Sequence, residues 1–450
     1  MNRLTFLLLL VSFKNYSQVG INTITPNALF EIKSSNQISP SNTDGIIIPK
    51  VDVFPAINPT ISQQGMLVYL TTVDGTRQPG FYYWDNAWNS FGWGLKGNGG
   101  TNPTSNFVGT TDDNDLIFKR NNVQSGLIGT TNTSFGLNAL STLNTGINNT
   151  AYGLNSLFSN TSGRWNIANG SNALYSNTTG SFNTSYGSNA LYSNTDGFHN
   201  TACGFQSMYY NTTGFGNSTL GTSTLSRNTI GGNNVAIGNT SLTYNTTGDL
   251  NVGCGASALN NNRTGSRNTA IGSFALANSI AGENNVAIGA NALSLATGSN
   301  NIGIGYNSIV PNAAGDNQVQ IGNTSINYAG IQVAWSVTSD NRWKSNIQKS
   351  NLGLDFIKKL NPVSYIRNND KNKKIEYGFI AQELEQTLNT SDAINNAIIT
   401  KDDSGMYSVR YNDLLSPMVK AIQDQQKIIE SQNKRIELLE SKIKEIEEKL

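Results

Sequence analysis

The sequence predicts a mainly β protein. A parallel β-solenoid shaft of 17-residue coils leads into a small α+β domain and then a coiled coil, with three chains forming one fibre. Three observations carry this expectation. A glycine recurs every 17 residues from Gly136 to Gly289, slips once to 16 at Gly305, and returns to 17 at Gly322. Between Asn121 and Gly330 the only acids are Asp196, Asp249, Glu283 and Asp316, whereas the carboxyl-terminal part is dense in Lys and Glu. Near the end, Ile422, Ile429, Ile436, Ile443 and Leu450 stand seven apart. A net charge of +1 over 450 residues gives no global field for nucleic acid or an anionic membrane.

The chain opens on "MNRLTFLLLLVSFKNYSQ", with one early cation (Arg3) and an apolar run from Leu4 to Phe13. That run is far shorter than the roughly 20 residues a bilayer needs, so residues 1–18 read as a secretory leader. An exported protein with no membrane insertion after leader removal follows. Residues 19–96 form an amino-terminal β module. Its "GIIIPKVDV", "GMLVYLTTV" and "PGFYYWDNAWNSFGW" read as short strands, the last an aromatic hairpin. Tyr82, Tyr83, Trp84, Trp88 and Trp93 offer two uses, a sugar-binding platform or the core of a small β domain, and the second is favoured. Residues 97–130 form a linker and transition, with Gly97–Ser105 the linker proper. In "GTTDDNDLIF", Asp112, Asp113 and Asp115 suit a calcium site or a tight turn into a strand; the turn is preferred.

The shaft spans 131–330. Stacked in columns, the residue before the first glycine runs from Phe135 and Tyr152 to Ile304 and Ile321, and only Asn169 is polar. Four residues after that glycine the column runs from Leu140 to Leu293, then Ile309 and Ile326, all apolar. Two apolar positions are too few for a core within one coil, so both columns are expected to stack into apolar ribs. Asparagine columns from Asn132 to Asn301 suit hydrogen-bonded ladders. Cys203 and Cys254 share a column three coils apart. At about 4.8 Å per coil they are too distant for a disulfide and read as interior hydrophobes. The single histidine, His199, argues against a histidine-rich zinc site or a Ser-His-Asp triad. No metal and no cofactor is expected. Asp249, Glu283 and Asp316 share a column but lie about 10 Å apart, which disfavours glycoside hydrolysis. The "NVAIG" and "NNIGIG" units resemble the head repeats of trimeric autotransporter adhesins, which implies a parallel β-roll around a threefold axis. An intertwined triple β-helix remains the alternative.

After the shaft, "NLGLDFIKKLNP" has helical spacing stopped by Pro362, "VSYIR" and "IEYGFIA" flank a polar turn, "QELEQTL" is helical, and "YSVRYNDL" gives a strand. Residues 416–450 carry the heptads. Ile422, Ile429, Ile436, Ile443 and Leu450 fill the a positions; Gln425, Gln432, Leu439 and Ile446 fill d. Isoleucine at a with Ile or Leu at d favours trimers over dimers, and the glutamine layers set register.

One stretch remains, "VTSDNRWKSNI", with Ser339, Asp340, Arg342 and Lys344. Its serine is either part of a helix-start turn or a nucleophile with a lysine base. Together with "LNPVSYI", "GFIAQE" and "YNDL" it resembles, in order, the intramolecular chaperone domain of phage tail spikes and endosialidases, the peptidase S74 family. The resemblance places that domain at 337–415. It implies a chaperone that trimerises the fibre ahead of it and then cuts itself off between Thr338 and Ser339. Ser339 would be the nucleophile, Lys344 its base, and Asp340 and Arg342 supporting residues. Trp343 stands where a smaller aliphatic residue is common. The "VGINT" and "GFYYWD" stretches are similar to ones in secreted and tail-fibre-like proteins of Bacteroidetes-type bacteria. The function expected is a secreted homotrimeric adhesin that binds a cell-surface glycan or protein receptor and no nucleic acid. The rivals are a glycan-degrading spike and a fibre whose trimerising cap is permanent.

Overall fold

A computed structural model describes residues 18–75, 77–91, 107–140 and 143–450. The leader (but for its last residue), the Gly97–Ser105 linker and Trp93 lie outside them. The chain divides into two compact units, Met1–Thr111 and Asp112–Leu450.

In the first unit β1 (Val19–Ile21) and β2 (Phe30–Ile32) pair in parallel. β3 (Lys50–Val51), β4 (Leu67–Leu70), β5 (Gly80–Trp84) and β6 (Trp88–Ser90) form one sheet in that order. β5 and β6 make the aromatic hairpin, closing on the pair Trp84 and Trp88, with Asn86 at positive φ in the turn. Tyr82, Trp84 and Trp88 are buried with Val68 and Leu70, and the Phe54 ring stacks on Trp88 at 4.8 Å. These rings are core, so of the two uses considered for them the domain interior is the one found.

The second unit begins with the hairpin of β7 (Leu116–Arg120) and β8 (Val123–Ile128). Asn121 and Asn122 both take positive φ in its turn, as a two-residue hairpin of the primed type requires. Of the acids before it, Asp112 accepts locally from Asn114 at 2.6 Å, and Asp115 accepts from the Thr130 N–H at 3.3 Å across the base of the hairpin. β8 pairs with β9 (Thr133–Phe135), and from there to β20 (Val319–Ile321) every three-residue strand pairs in parallel with the next coil of the same chain. Successive rungs come from one chain, so the shaft is a β-solenoid and not an intertwined triple helix.

The side-chain period of two decides which column faces inward. The central residue of each strand points in: Ala151, Ala168, Ser185, Ala202, Ala236, Ala270 and Ala287 are fully buried. The residue before the glycine therefore points out. Tyr152, Tyr186, Leu220, Ile237, Ile271, Ile288, Ile304 and Ile321 are exposed, and Cys203 and Cys254 are half-buried on that outer face. The expectation that this column and its cysteines are interior is thus corrected. The other column fills the core from Leu140 to Leu293, with Met208 in register, against the small strand residues, but its last two members, Ile309 and Ile326, are exposed.

That leucine column has an unusual backbone. Ten successive rungs hold it at φ between +49° and +56°. The left-handed conformation costs an L residue about 1–2 kcal/mol, while fully burying a leucine stabilises by about 1.5–3 kcal/mol. Packing outweighs strain, so the corner is apolar rather than glycine. At the preceding corner the balance reverses. A Cβ on Gly187, at φ +138°, would meet the backbone carbonyl of Gly204 on the next coil.

Two buried asparagine ladders tie the coils together. Asn200 represents the first. Its Nδ2 donates to Asn183 Oδ1 at 3.1 Å and to the Gly214 carbonyl at 2.8 Å. Its Oδ1 accepts from the Asn217 N–H at 3.0 Å and from Asn217 Nδ2 at 3.2 Å. All four of its amide valences are used. This ladder runs to Asn301 and crosses the 16-residue coil unbroken, through Asn301 N–H to Asn285 Oδ1 at 2.9 Å. The second, Asn160 to Asn262, does not reach the slip: its next rungs are Ser279 and Ala296. Among the described residues, Asn262 Oδ1 and Ser279 Oγ are buried without a partner.

The carboxyl-terminal part comprises α1 (Leu354–Ile357), the antiparallel hairpin β21 (Val363–Ile366) and β22 (Ile375–Gly378), α2 (Ala381–Asn389), the pair β23 (Ile399–Lys401) and β24 (Tyr407–Val409), and α3 (Leu415–Glu447); α1 packs against α3, and α2 against β24. Leu352, Phe356, Leu384, Leu388, Ile398 and Leu414 form its core. α3 buries Pro417 and Ala421 only, and its remaining turns are not covered by the chain. Among the described residues no helix is long and apolar enough to cross a membrane.

The ladders give a two-signed prediction. Asn200→Ala orphans the buried Asn217 N–H and opens a cavity, and should cost roughly 2–4 kcal/mol. Ser279→Asn extends the second ladder to Asn262 and should gain about 1 kcal/mol. The temperature at which the shaft loses protease resistance should fall for the first and rise for the second.

Candidate active site

The opening stretch forms a 3₁₀ turn, Asn341–Trp343, and the N-cap is Asp340 rather than Ser339. The Asp340 carboxylate accepts from the Arg342 N–H at 2.8 Å, satisfying a donor the turn leaves free. The same carboxylate takes a two-pronged bond from Arg342, at 3.0 Å to Nε and 2.8 Å to Nη2. The Arg342 side chain, then its backbone N–H, hold the Asp340 carboxyl below the ordinary carboxylate range. Asp340 in turn holds the guanidinium more firmly charged.

Ser339 sits just outside the cap. The turn brings Lys344 back over it, and Lys344 Nζ donates to Ser339 Oγ at 2.6 Å. The turn is present, with Asp340 as its N-cap, and Ser339 lies just outside it within reach of Lys344. Asp340 and Arg342 build the turn, and the turn sets the five-residue return of the lysine. In this single chain Thr338, Ser339 and Lys344 are exposed to solvent. A lysine serves as a general base only as the neutral amine, a form that burial favours.

The remaining motif residues hold the domain together. A Cβ at Gly378 would collide with the Tyr411 hydroxyl, which also accepts from the Phe379 N–H at 3.1 Å. That contact joins "GFIAQE" to "YNDL". Asn361, beside Pro362, donates to Glu383 at 3.0 Å, joining the helix stop to α2. A groove of about 550 Å³ beside these contacts is lined by Tyr365, Phe379, Met406, Tyr407 and Tyr411.

One contact had no signal in the sequence. Asp403, in the β23–β24 connection, donates its N–H to the Pro311 carbonyl at 2.8 Å and accepts from the Ala313 N–H at 2.7 Å. The Asn369 amide reaches the Thr324 carbonyl. Both contacts seat the carboxyl-terminal domain on the last coils of the shaft. The heptad residues Ile422, Ile429, Ile436, Leu439, Ile443, Ile446 and Leu450 are all exposed.

Neither curated proteins nor solved structures returned a match to the chain. Two family descriptions do match. Residues 19–106 match a phage-tail-like trimerisation region, a likeness that the strands alone had not indicated. Residues 339–391 match the chaperone of endosialidase, beginning at Ser339 and ending after α2.

A prediction follows from the turn. The Asp340 carboxyl should titrate below its ordinary value of 3.8, so its pairing with Arg342 is present above that value and lost as pH falls through the lowered one. Carboxyl ¹³C NMR should show this, and Arg342→Ala should move the midpoint up. An unchanged midpoint would mean that the pair does not form in solution.

The chain thus matches the endosialidase-chaperone description over residues 339–391 and the phage-tail-like trimerisation description over residues 19–106, with a β-solenoid of 17-residue coils between the two matches in sequence.

Proposed function

We propose that this protein is a secreted, homotrimeric, tail-fibre-like adhesin whose carboxyl-terminal domain aligns three chains and then cuts itself off between Thr338 and Ser339. The observation that carries the cleavage is the 2.6 Å approach of Lys344 Nζ to Ser339 Oγ at the first residue of the endosialidase-chaperone match. Once Lys344 is desolvated and neutral, its amine takes the Ser339 hydroxyl proton as Oγ adds to the Thr338 carbonyl carbon. The Thr338–Ser339 C–N bond then breaks, and the departing amine receives the proton from Lys344. The chain is left joined by an ester on Oγ. One water hydrolyses that ester, leaving a Thr338 carboxylate and the free Ser339 hydroxyl. Asp340 and Arg342 hold the turn that positions the lysine.

The trimer reading is supported by the amino-terminal match and by two apolar surfaces. The exposed Ile422 to Leu450 seam of α3 suits a three-stranded coiled coil. The outward shaft stripe, which pairs Ile237 with Val235 and Ile288 with Val286, is uncharged and continuous, as association surfaces are. Adhesion is preferred to glycan hydrolysis because the shaft acids are spent on structure. Glu283 pairs with Arg267 at 2.9 Å, and Asp249 and Asp316 each accept from a backbone N–H at 2.6 Å.

Denaturing electrophoresis with intact mass tests the cleavage. The wild type should release a 112-residue fragment beginning at Ser339, and Ser339→Ala and Lys344→Ala should stay whole. A wild type that stays whole while trimeric would make the domain a permanent cap.

A further inference from the structure

Between the last shaft strand and the scissile bond lies a segment that neither the shaft nor the carboxyl-terminal domain uses. Residues 331–338 read "IQVAWSVT", with Ile331, Val333, Trp335 and Val337 alternating with Gln332, Ala334, Ser336 and Thr338. Strict alternation of β-branched and aromatic residues, with no Gly or Pro inside, is the pattern of a strand with one buried face. In the single chain nothing covers that face. Ile331 is 55 % exposed, Val333 78 %, Trp335 74 % and Val337 80 %. Among the described residues, no backbone hydrogen bond reaches positions 327–338. An unpartnered apolar strand of this kind is an aggregation hazard unless something stable occupies it.

We propose that its occupant is the same segment of two further copies of this chain. Three copies, parallel and in register, turn the Ile331, Val333, Trp335 and Val337 face onto a common axis over about 20 Å. The inference rests on the homotrimer reading above and specifies where the chains meet. Two observations select copies of the chain over another partner. The segment lies between a trimerisation region at residues 19–106 and the heptad seam of α3, so any association of those elements holds three copies at one height. The alternation also ends at Thr338, the residue that precedes Ser339. Packing this face therefore draws the scissile bond and the adjoining Lys344 out of solvent, the condition the exposed dyad lacks. Alignment of these strands becomes the step that makes the lysine competent.

Cysteine cross-linking tests this in full-length protein carrying Ser339→Ala, Cys203→Ser and Cys254→Ser. Val333→Cys and Val337→Cys face the axis and should give disulfide-linked chain pairs on mild oxidation. Ala334→Cys, on the opposite face, should not. In the otherwise wild-type chain, Val333→Asp should leave the trimer intact by sedimentation and slow release of the carboxyl-terminal fragment at least tenfold. A trimer by sedimentation with no cross-link from Val333→Cys, or with the cross-link from Ala334→Cys instead, would overturn the inference and leave the trimeric fibre standing. Sedimentation as a single chain would overturn both.

Discussion

The shaft depends on one constraint: the buried polar groups of each coil must be paired, and neighbouring coils supply the partners that the coil itself does not. The asparagine ladders meet it. Asn200 bonds its predecessor and successor in the ladder and borrows a glycine carbonyl from the next coil, and the pattern repeats with a period of 17. An amide left unpaired there costs about 1–3 kcal/mol, so the ladders fix the coil length as strictly as the apolar column fixes the cross-section. The one shortened coil shows which demand is stronger. A residue is lost between Leu293 and Gly298, at the corner where the second ladder has already lapsed, while the first continues through Asn285 and Asn301. Such a stack has long-range registration to achieve; its first strand, β9, is paired by β8, and β20 is its other end. The carboxyl-terminal domain touches that end through Asp403 and Asn369.

Much of the shaft was legible because a one-dimensional stack writes its geometry into sequence period. Glycine spacing, ladder asparagines and the leucine column are each set by neighbours a fixed distance along the chain. The column before the glycine was misplaced for a physical reason. A three-residue strand sends only its central residue inward, and the coil interior is already filled by leucine, so up to the last strand that central residue is Ala, Ser, Gly or Thr and does not look like core. The isoleucines and tyrosines beside it look like core and face outward. The leucines' left-handed backbone left no trace either, since it is tolerated by burial rather than announced by glycine.

At the carboxyl-terminal end, legibility followed locality. Ser339, Asp340, Arg342 and Lys344 lie within one turn, so a motif captures their arrangement. The Asp403 contact spans ninety residues and rests on backbone groups of Pro311 and Ala313, which no side-chain pattern records. The turn also separates two roles. Its charged pair, Asp340 and Arg342, builds the turn, whereas Ser339 and Lys344, which the turn brings together, are both exposed to solvent in one chain.

The most direct test of the proposed link between cleavage and association is the concentration dependence of cleavage on refolding. Chains unfolded in denaturant and diluted to a series of concentrations should release the fragment after a lag that lengthens steeply as concentration falls, and cleaved chains should be found only in trimers. A release rate independent of concentration, with cleaved single chains, would show that one chain completes the site alone and would contradict the account.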